Sequence, residues 1–407
     1  MNNKFTITEN IFITEVIMKK NFSVIFILMA FMMIIGCFSS ISTGIAMADV
    51  GFELKSKAAY LMDATSRTVI HSENENERLP IASMCKIMTL LLCFEAQDRG
   101  EISIDQQITI SENAAGMGGS QVFLETNGKY SVGELIKSIV VASANDACVA
   151  MAETLCGSED AFIDKMNEKA KELKMHNTKF VNCTGLPKPG QYSSAKDVAI
   201  MFSELLKHED YFRYSRIWTD KVLHPNDRVT EISNTNKLIR FYNGCDCGKT
   251  GYTSEAGHCL AASAMRNGMR LISVVISSPD SKTRFNEVSS MFNYGFSNYV
   301  NKIVIDDKKP LELNVKISGG KKDVLEVVAE HPVYLFSEKN KQRSVEINFE
   351  PCEKIKAPIK TGDIVGKISV YENNIEIVSV NVLANEDVAE KTYFDVIKDI
   401  GNNWALI

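Results

Sequence analysis

No block of basic residues occurs anywhere in the 407-residue chain, and its formal net charge is −6. A nucleic-acid partner is gripped through its phosphates, so the missing basic patch excludes nucleic acid as the main target. No cysteine–histidine set shows zinc spacing. His71, His176, His208, His224, His258 and His331 stand singly, so neither a metal nor another cofactor is expected. Ten cysteines are present and nine follow residue 48, an odd, scattered number that does not read as a disulfide framework. The apolar run Phe22 to Phe38 is short for a membrane span.

That run has a different reading. Lys19-Lys20 precede it and Ala46-Met47-Ala48 offers a small-residue cleavage site, the pattern of a secretory signal peptide over residues 1–48. The polar leader Met1 to Ile17 points to Met18 as the true start. Ile34-Ile35-Gly36-Cys37 loosely resembles a lipoprotein signal but ranks behind cleavage after Ala48. Export is therefore expected, with residence at the cell membrane or wall.

The remaining length suggests two domains. Alternation predicts a hairpin over Ala58–Asp63 and Thr68–His71, and Asn267-Gly268 predicts a type I′ turn joining Gly257–Met265 to Arg270–Ser277. Helices are expected at Val132–Ala142, Ser158–Leu173, Ser194–Lys207 and around Phe285–Tyr299, with Glu101–Asn127 as loop with short strands and His224–Asn243 irregular. Beyond Asn301 only short alternating runs remain, which read as a separate β domain. The expected boundaries are 49–300, 301–385 and a terminal amphipathic helix over 386–407, with Tyr393, Ile397, Ile400, Trp404 and Ile407 on one stripe.

Three short motifs carry chemistry. Ser83 and Lys86 lie three apart in a helix expected to begin after Pro80, so they share a face. A serine is a poor nucleophile until a base takes its proton, and a desolvated lysine can do so. The helix start also offers N–H groups to an oxyanion. Ser143-Ala144-Asn145 supplies a hydroxyl that can pass protons and a carboxamide that can hold a peptide group. Lys249-Thr250-Gly251 supplies a charge, a hydroxyl for a carboxylate, and a glycine leaving room for a ligand along the strand.

Each motif has copies: Ser193…Lys196, Ser318…Lys321, Ser111-Glu112-Asn113 and Lys360-Thr361-Gly362. Only Ser83…Lys86 can begin the full ordered triple. Ser143 is preferred to Ser111 because an apolar helix would hold it rigidly. Lys360 lies between Pro358 and Gly366 and reads as a turn.

The ordered triple resembles the penicillin-binding proteins and class A β-lactamases. Ser143-Ala144-Asn145-Asp146-Ala147, Asn234-Thr235-Asn236-Lys237, Gly248–Thr253 and the Ala357–Lys367 stretch resemble, more narrowly, the low-molecular-mass D-alanyl-D-alanine carboxypeptidases. The resemblance implies an α+β fold: a β-lactamase/transpeptidase-like catalytic domain, with a five-stranded antiparallel sheet and a helical cluster, then a small all-β domain. It implies a serine-type carboxypeptidase acting on peptidoglycan stem peptides ending in D-Ala-D-Ala, with β-lactams as covalent inhibitors. Ser83, Lys86 and Ser143 would be catalytic; Asn145, Lys249, Thr250, Gly251 and Tyr252 would bind substrate. The backbone N–H groups of Ser83 and Tyr252 would form the oxyanion hole. Gln191 stands where the family often has histidine, and Cys85 and Cys247 beside the site suggest sensitivity to oxidation. Other readings are an endopeptidase or transpeptidase, a β-lactamase, or a non-catalytic wall-binding module. The terminal helix is read as packing on the β domain or lying on a membrane surface.

Overall fold

The structure is a computed structural model and describes residues 52–341 and 343–397. The signal sequence, the Met18 start and the helix positions past Ile397 lie outside the described residues.

Strands β1 (Ala58–Asp63) and β2 (Val69–Glu73) form the expected hairpin. Its turn is tied by Asp63, whose carboxylate accepts the Ser66 N–H at 2.7 Å. Strands β3 (Cys245–Thr253), β4 (Gly257–Arg266) and β5 (Met269–Ser278) follow far along the chain. The β4–β5 turn places both Asn267 and Gly268 in the left-handed region (φ +50° and +76°), as a type I′ turn requires. β1 pairs with β5, so distant segments build one antiparallel sheet in the order β2-β1-β5-β4-β3. β3 is thereby left at an edge.

Among the described residues, six helices of three turns or more surround this sheet: α1 (Lys86–Asp98), α2 (Val132–Ala142), α3 (Asn145–Cys156), α4 (Glu159–Glu172), α5 (Ala195–Leu205) and α6 (Ser281–Asn298). Ser131, Ser158, Ser194 and Asp280 each cap a helix by accepting a backbone N–H two or three residues on, which satisfies donors that a helix start leaves orphaned. Strand alternation sorts the apolar residues between two layers. Tyr60, Met62, Ala261 and Val274 face the cluster containing Ile87, Leu91 and Phe202. Leu61, Leu260 and Val275 face Val288 and Phe292 of α6.

From Tyr299 onward the chain is built of strands. β6 (Tyr299–Ile305), β7 (Val327–Ala329), β8 (Val333–Glu338), β9 (Glu346–Pro351), β10 (Ile364–Glu372) and β11 (Ile375–Ala384) pair as β6-β8 and as β7-β11-β10-β9. Val327, Val365, Ile368 and Val382 form their buried centre. Lys360-Thr361-Gly362 is a turn here, with Thr361 bonded to Asp387. The terminal helix does not begin at 386 as expected: Val388 is buried in the β domain and pairs with Ile359, and the described helical residues are 393–397, with Tyr393 and Phe394 exposed. No helix among the described residues is long and apolar enough to cross a membrane.

Two local expectations differ. The chain does not enter α1 directly after Pro80: Ala82–Cys85 forms a 3₁₀ turn first, entered through Ala82 at φ +46°. The stretch expected to be irregular completes a hairpin, Thr219–Leu223 with Val229–Ser233, and contains a helical turn at Leu238–Phe241. Only Val222 and Ile232 of that hairpin are buried, so apolar alternation, the usual strand signal, is faint.

Candidate active site

Ser83 sits in the 3₁₀ turn, with Lys86 opening α1 and its ammonium carried inward, fully buried. Lys86 Nζ lies 3.0 Å from Ser83 Oγ, 2.7 Å from Asn145 Oδ1 and 2.5 Å from the Thr184 carbonyl oxygen. The Asn145 amide is oriented by its other end, since Nδ2 donates to the Gly118 carbonyl at 2.7 Å. The Thr184 and Asn145 oxygens can only accept. A neutral amine therefore spends both N–H bonds on them and turns its lone pair toward the Ser83 hydroxyl. Burial pushes the Lys86 pKa down toward that neutral form.

The second lysine is placed by β3. Lys249 Nζ donates to Ser143 Oγ at 2.8 Å and to the Thr250 carbonyl at 3.0 Å. Its pKa is pushed well down, first by burial and then by the charge of Lys86. Both lysines thus lean neutral mainly because the site is desolvated, and the like charge adds to this at Lys249. Ser143 ends α2 in the left-handed conformation, φ +62°. Asn145 then opens α3 two residues on, and its N–H meets the Ser120 carbonyl at 2.7 Å.

The structure bonds Lys86 to Ser83 and Asn145, and separately bonds Lys249 to Ser143; Ser143 and Asn145 are two residues apart, which brings the two sets to one place. Gly251 belongs there for a reason other than the expected ligand room. A Cβ there would stand 2.7 Å from the Ile81 carbonyl oxygen and 3.2 Å from Ser83 N, so the missing side chain admits the turn that carries Ser83. Thr250 is buried next to Lys249, while the Tyr252 ring is exposed and stacks on His258 at 4.4 Å. The decoy Ser111 caps a short turn and bonds Glu153 instead.

Several contributors escaped the sequence reading. Asn182 Oδ1 accepts the Gly185 N–H at 2.7 Å and shapes the turn presenting Thr184; Asn-x-Thr-Gly turn chemistry was its available signal. Gln191, noted in the sequence only as standing where the resembled family often has histidine, accepts the Val181 and Asn182 N–H groups at 2.9 and 3.0 Å and supports the same turn. Arg284 of α6 donates to the Gly251 and Cys259 carbonyls at 3.0 and 3.2 Å, and its Nε is buried without a partner. A trans peptide points its C=O and N–H oppositely. With the Gly251 carbonyl turned to Arg284 on the β4 side, the Tyr252 N–H faces the free edge of β3. Cys85 and Cys247 are fully buried and their thiols are pushed up by desolvation. Reactive thiolates are disfavoured there, so the expected sensitivity to oxidation is not supported.

A serine hydroxyl approached by a buried lysine whose pKa is pushed down by desolvation, at the junction of a five-stranded antiparallel sheet with a helical cluster, is an arrangement suited to serine acyl transfer. Residues 44–280 match the family described as D-alanyl-D-alanine carboxypeptidase, and residues 300–390 match the penicillin-binding protein 5 C-terminal domain. The chain is 39% identical over 352 residues to D-alanyl-D-alanine carboxypeptidase DacF of Bacillus subtilis, covering 86% of this chain and 90% of that one. Among solved structures it resembles penicillin binding protein 5 of Haemophilus influenzae (TM-score 0.63, 30% identity, 83% of this chain and 99% of that one). It also resembles penicillin-binding protein D2 of Listeria monocytogenes in its ampicillin-bound form (TM-score 0.54, 28% identity, 60% of this chain and 99% of that one). The chain belongs to the D-alanyl-D-alanine carboxypeptidase family.

Proposed function

We propose that this serine-type D-Ala-D-Ala carboxypeptidase works through an acyl-enzyme on Ser83. The observation carrying this is the 3.0 Å approach of a fully buried Lys86 amine to the Ser83 hydroxyl, with two other acceptors already occupying its N–H bonds. Lys86 Nζ takes the hydroxyl proton as Oγ bonds the penultimate D-alanine carbonyl carbon. The Ser83 and Tyr252 N–H groups hold the oxyanion, each such donor typically lowering the barrier by about 3 kcal/mol. As the C–N bond breaks, a proton reaches the leaving D-alanine amine through Ser143, which Lys249 orients. Asn145 holds the peptide backbone, Thr250 and Lys249 line the place of the terminal carboxylate, and Gly251 lets the Ser83 turn approach β3. Water then hydrolyses the ester, returning the serine and releasing the shortened peptide.

The substrate is a peptidoglycan stem peptide, and β-lactams acylate the same hydroxyl, as the ampicillin-bound Listeria relative suggests. Residues 49–300 form the catalytic domain and 301–385 the β domain, after export directed by residues 1–48. The segment beginning at Tyr393, where Tyr393 and Phe394 are exposed, holds the protein at the membrane surface.

The test is mass spectrometry after incubation with a labelled penicillin. A stable adduct on the peptide containing Ser83, absent from Ser83→Ala, is expected. An unmodified Ser83 would leave a non-catalytic wall-binding module. D-alanine release from a stem pentapeptide should outpace penicillin hydrolysis; the reverse order would indicate a β-lactamase.

A further inference from the structure

Phe123 is the most conspicuous residue that the chemistry above leaves unused. Its backbone is left-handed, φ +64°, and its side chain is 54% exposed. A bulky residue there is a genuine outlier, costly in backbone strain and in wetted apolar surface. The strain is imposed by a clamp. The fully buried Asp146 carboxylate accepts the N–H groups on either side, from Val122 and Leu124, both at 3.1 Å. Arg228 Nη2 donates to the Phe123 carbonyl at 2.5 Å.

Asp146 adjoins Asn145, whose own groups hold Gly118 and Ser120 of the same loop. Residues 118, 120, 122 and 124 are thus all pinned to the start of α3, and Asn145 is in turn 2.7 Å from Lys86 Nζ. The Phe123 backbone is thereby held in register with Asn145, while Val122 and Leu124 supply the buried apolar anchors.

We propose that Phe123 forms a subsite for the peptide residues preceding D-Ala-D-Ala, covering the aliphatic part of their side chains. This rests on the active-site reading above. A flat ring fixed by the backbone offers apolar contact with little ordering cost on binding. It acts on long donors, which extend past Asn145, and not on a donor that ends at the scissile dipeptide.

The test compares D-alanine release from a stem pentapeptide and from N-acetyl-D-Ala-D-Ala. Phe123→Asn removes the ring but tolerates the left-handed backbone, so the Asp146 clamp survives. The ratio of kcat/KM on the pentapeptide to that on the short donor is expected to fall about tenfold, mostly through KM, as for loss of an apolar pocket wall. Phe123→Tyr, which keeps the ring, should restore the ratio to within about twofold. A ratio that stays within about twofold in Phe123→Asn, or equal losses on both donors, would overturn the subsite. Failure of the wild-type protein to acylate with penicillin would instead sink the Ser83 reading, and the subsite with it.

Discussion

Lys86 is held between two states by what touches its nitrogen. Three acceptors suit an ammonium, but burial opposes the charge, and two of the three cannot donate back. Acylation needs the neutral form, so its rate should rise with pH along a limb lying below the ordinary lysine value of about 10.4. Asn145→Asp would put a carboxylate within reach of Nζ. An opposite charge favours the ammonium, so the limb should move to higher pH by roughly 1–3 units. Second-order penicillin acylation rates from pH 6 to 10 check this; a limb that stays put or moves down would contradict the assigned base. At this scale Ser83, both lysines and Asn145 were legible in the chain as candidates because ordered motifs name them. Thr184 and Arg284 were not: one acts through a backbone carbonyl, whose residue type carries no signal, and the other acts across the sheet from a distant helix.

The turn that carries Ser83 depends on two glycines from elements remote in sequence. Gly185 has φ +82°, and a Cβ there would stand 2.0 Å from the Ala82 carbonyl oxygen and 2.9 Å from Ser83 N. Gly100 has a similar φ of +72° but open space around it, which separates backbone cost from collision. Gly100→Ala should cost only about 1–2 kcal/mol, the left-handed penalty of an L-residue. Gly185→Ala should cost about 3 kcal/mol or more and abolish acylation, because the turn must move. Urea unfolding with a penicillin-adduct assay tests the pair; equal costs would mean the turn yields easily. The elements with local chemistry were readable: serine-capped helices and an Asn-Gly hairpin declare themselves within a few residues. The 3₁₀ entry to α1 was not readable, since contacts with Gly185 and Gly251, about 100 and 170 residues away, shape it. The Thr219–Ser233 hairpin escaped for the complementary reason that almost nothing in it is buried.

For the molecule as a whole, burial of titratable groups sets the pH of greatest stability. Lys86 and Lys249 have lowered folded pKa values. Between those values and about 10.4 the unfolded chain binds more protons, so each lysine makes stability rise with pH by up to about 1.4 kcal/mol per unit. Seven buried cysteines among the described residues oppose them: Cys85, Cys93, Cys148, Cys183, Cys245, Cys247 and Cys259. Desolvation raises all seven, Cys148 and Cys245 to about 12 and Cys259 to about 11. A raised folded value gives stability that is present below the unfolded pKa, near 8.5, and lost as pH climbs toward the folded one. Above that point seven losses outweigh two gains. Stability should therefore peak below about pH 9 and fall steeply beyond it, in the presence of a reductant that keeps thiols free. Urea unfolding from pH 6 to 10 gives the curve. Lys249→Met should flatten the rising limb by up to one proton, and Cys93→Ala, remote from the bonded site, should ease the falling limb by about one. Stability still climbing at pH 10 would show that the thiols ionise inside the fold, contrary to their burial.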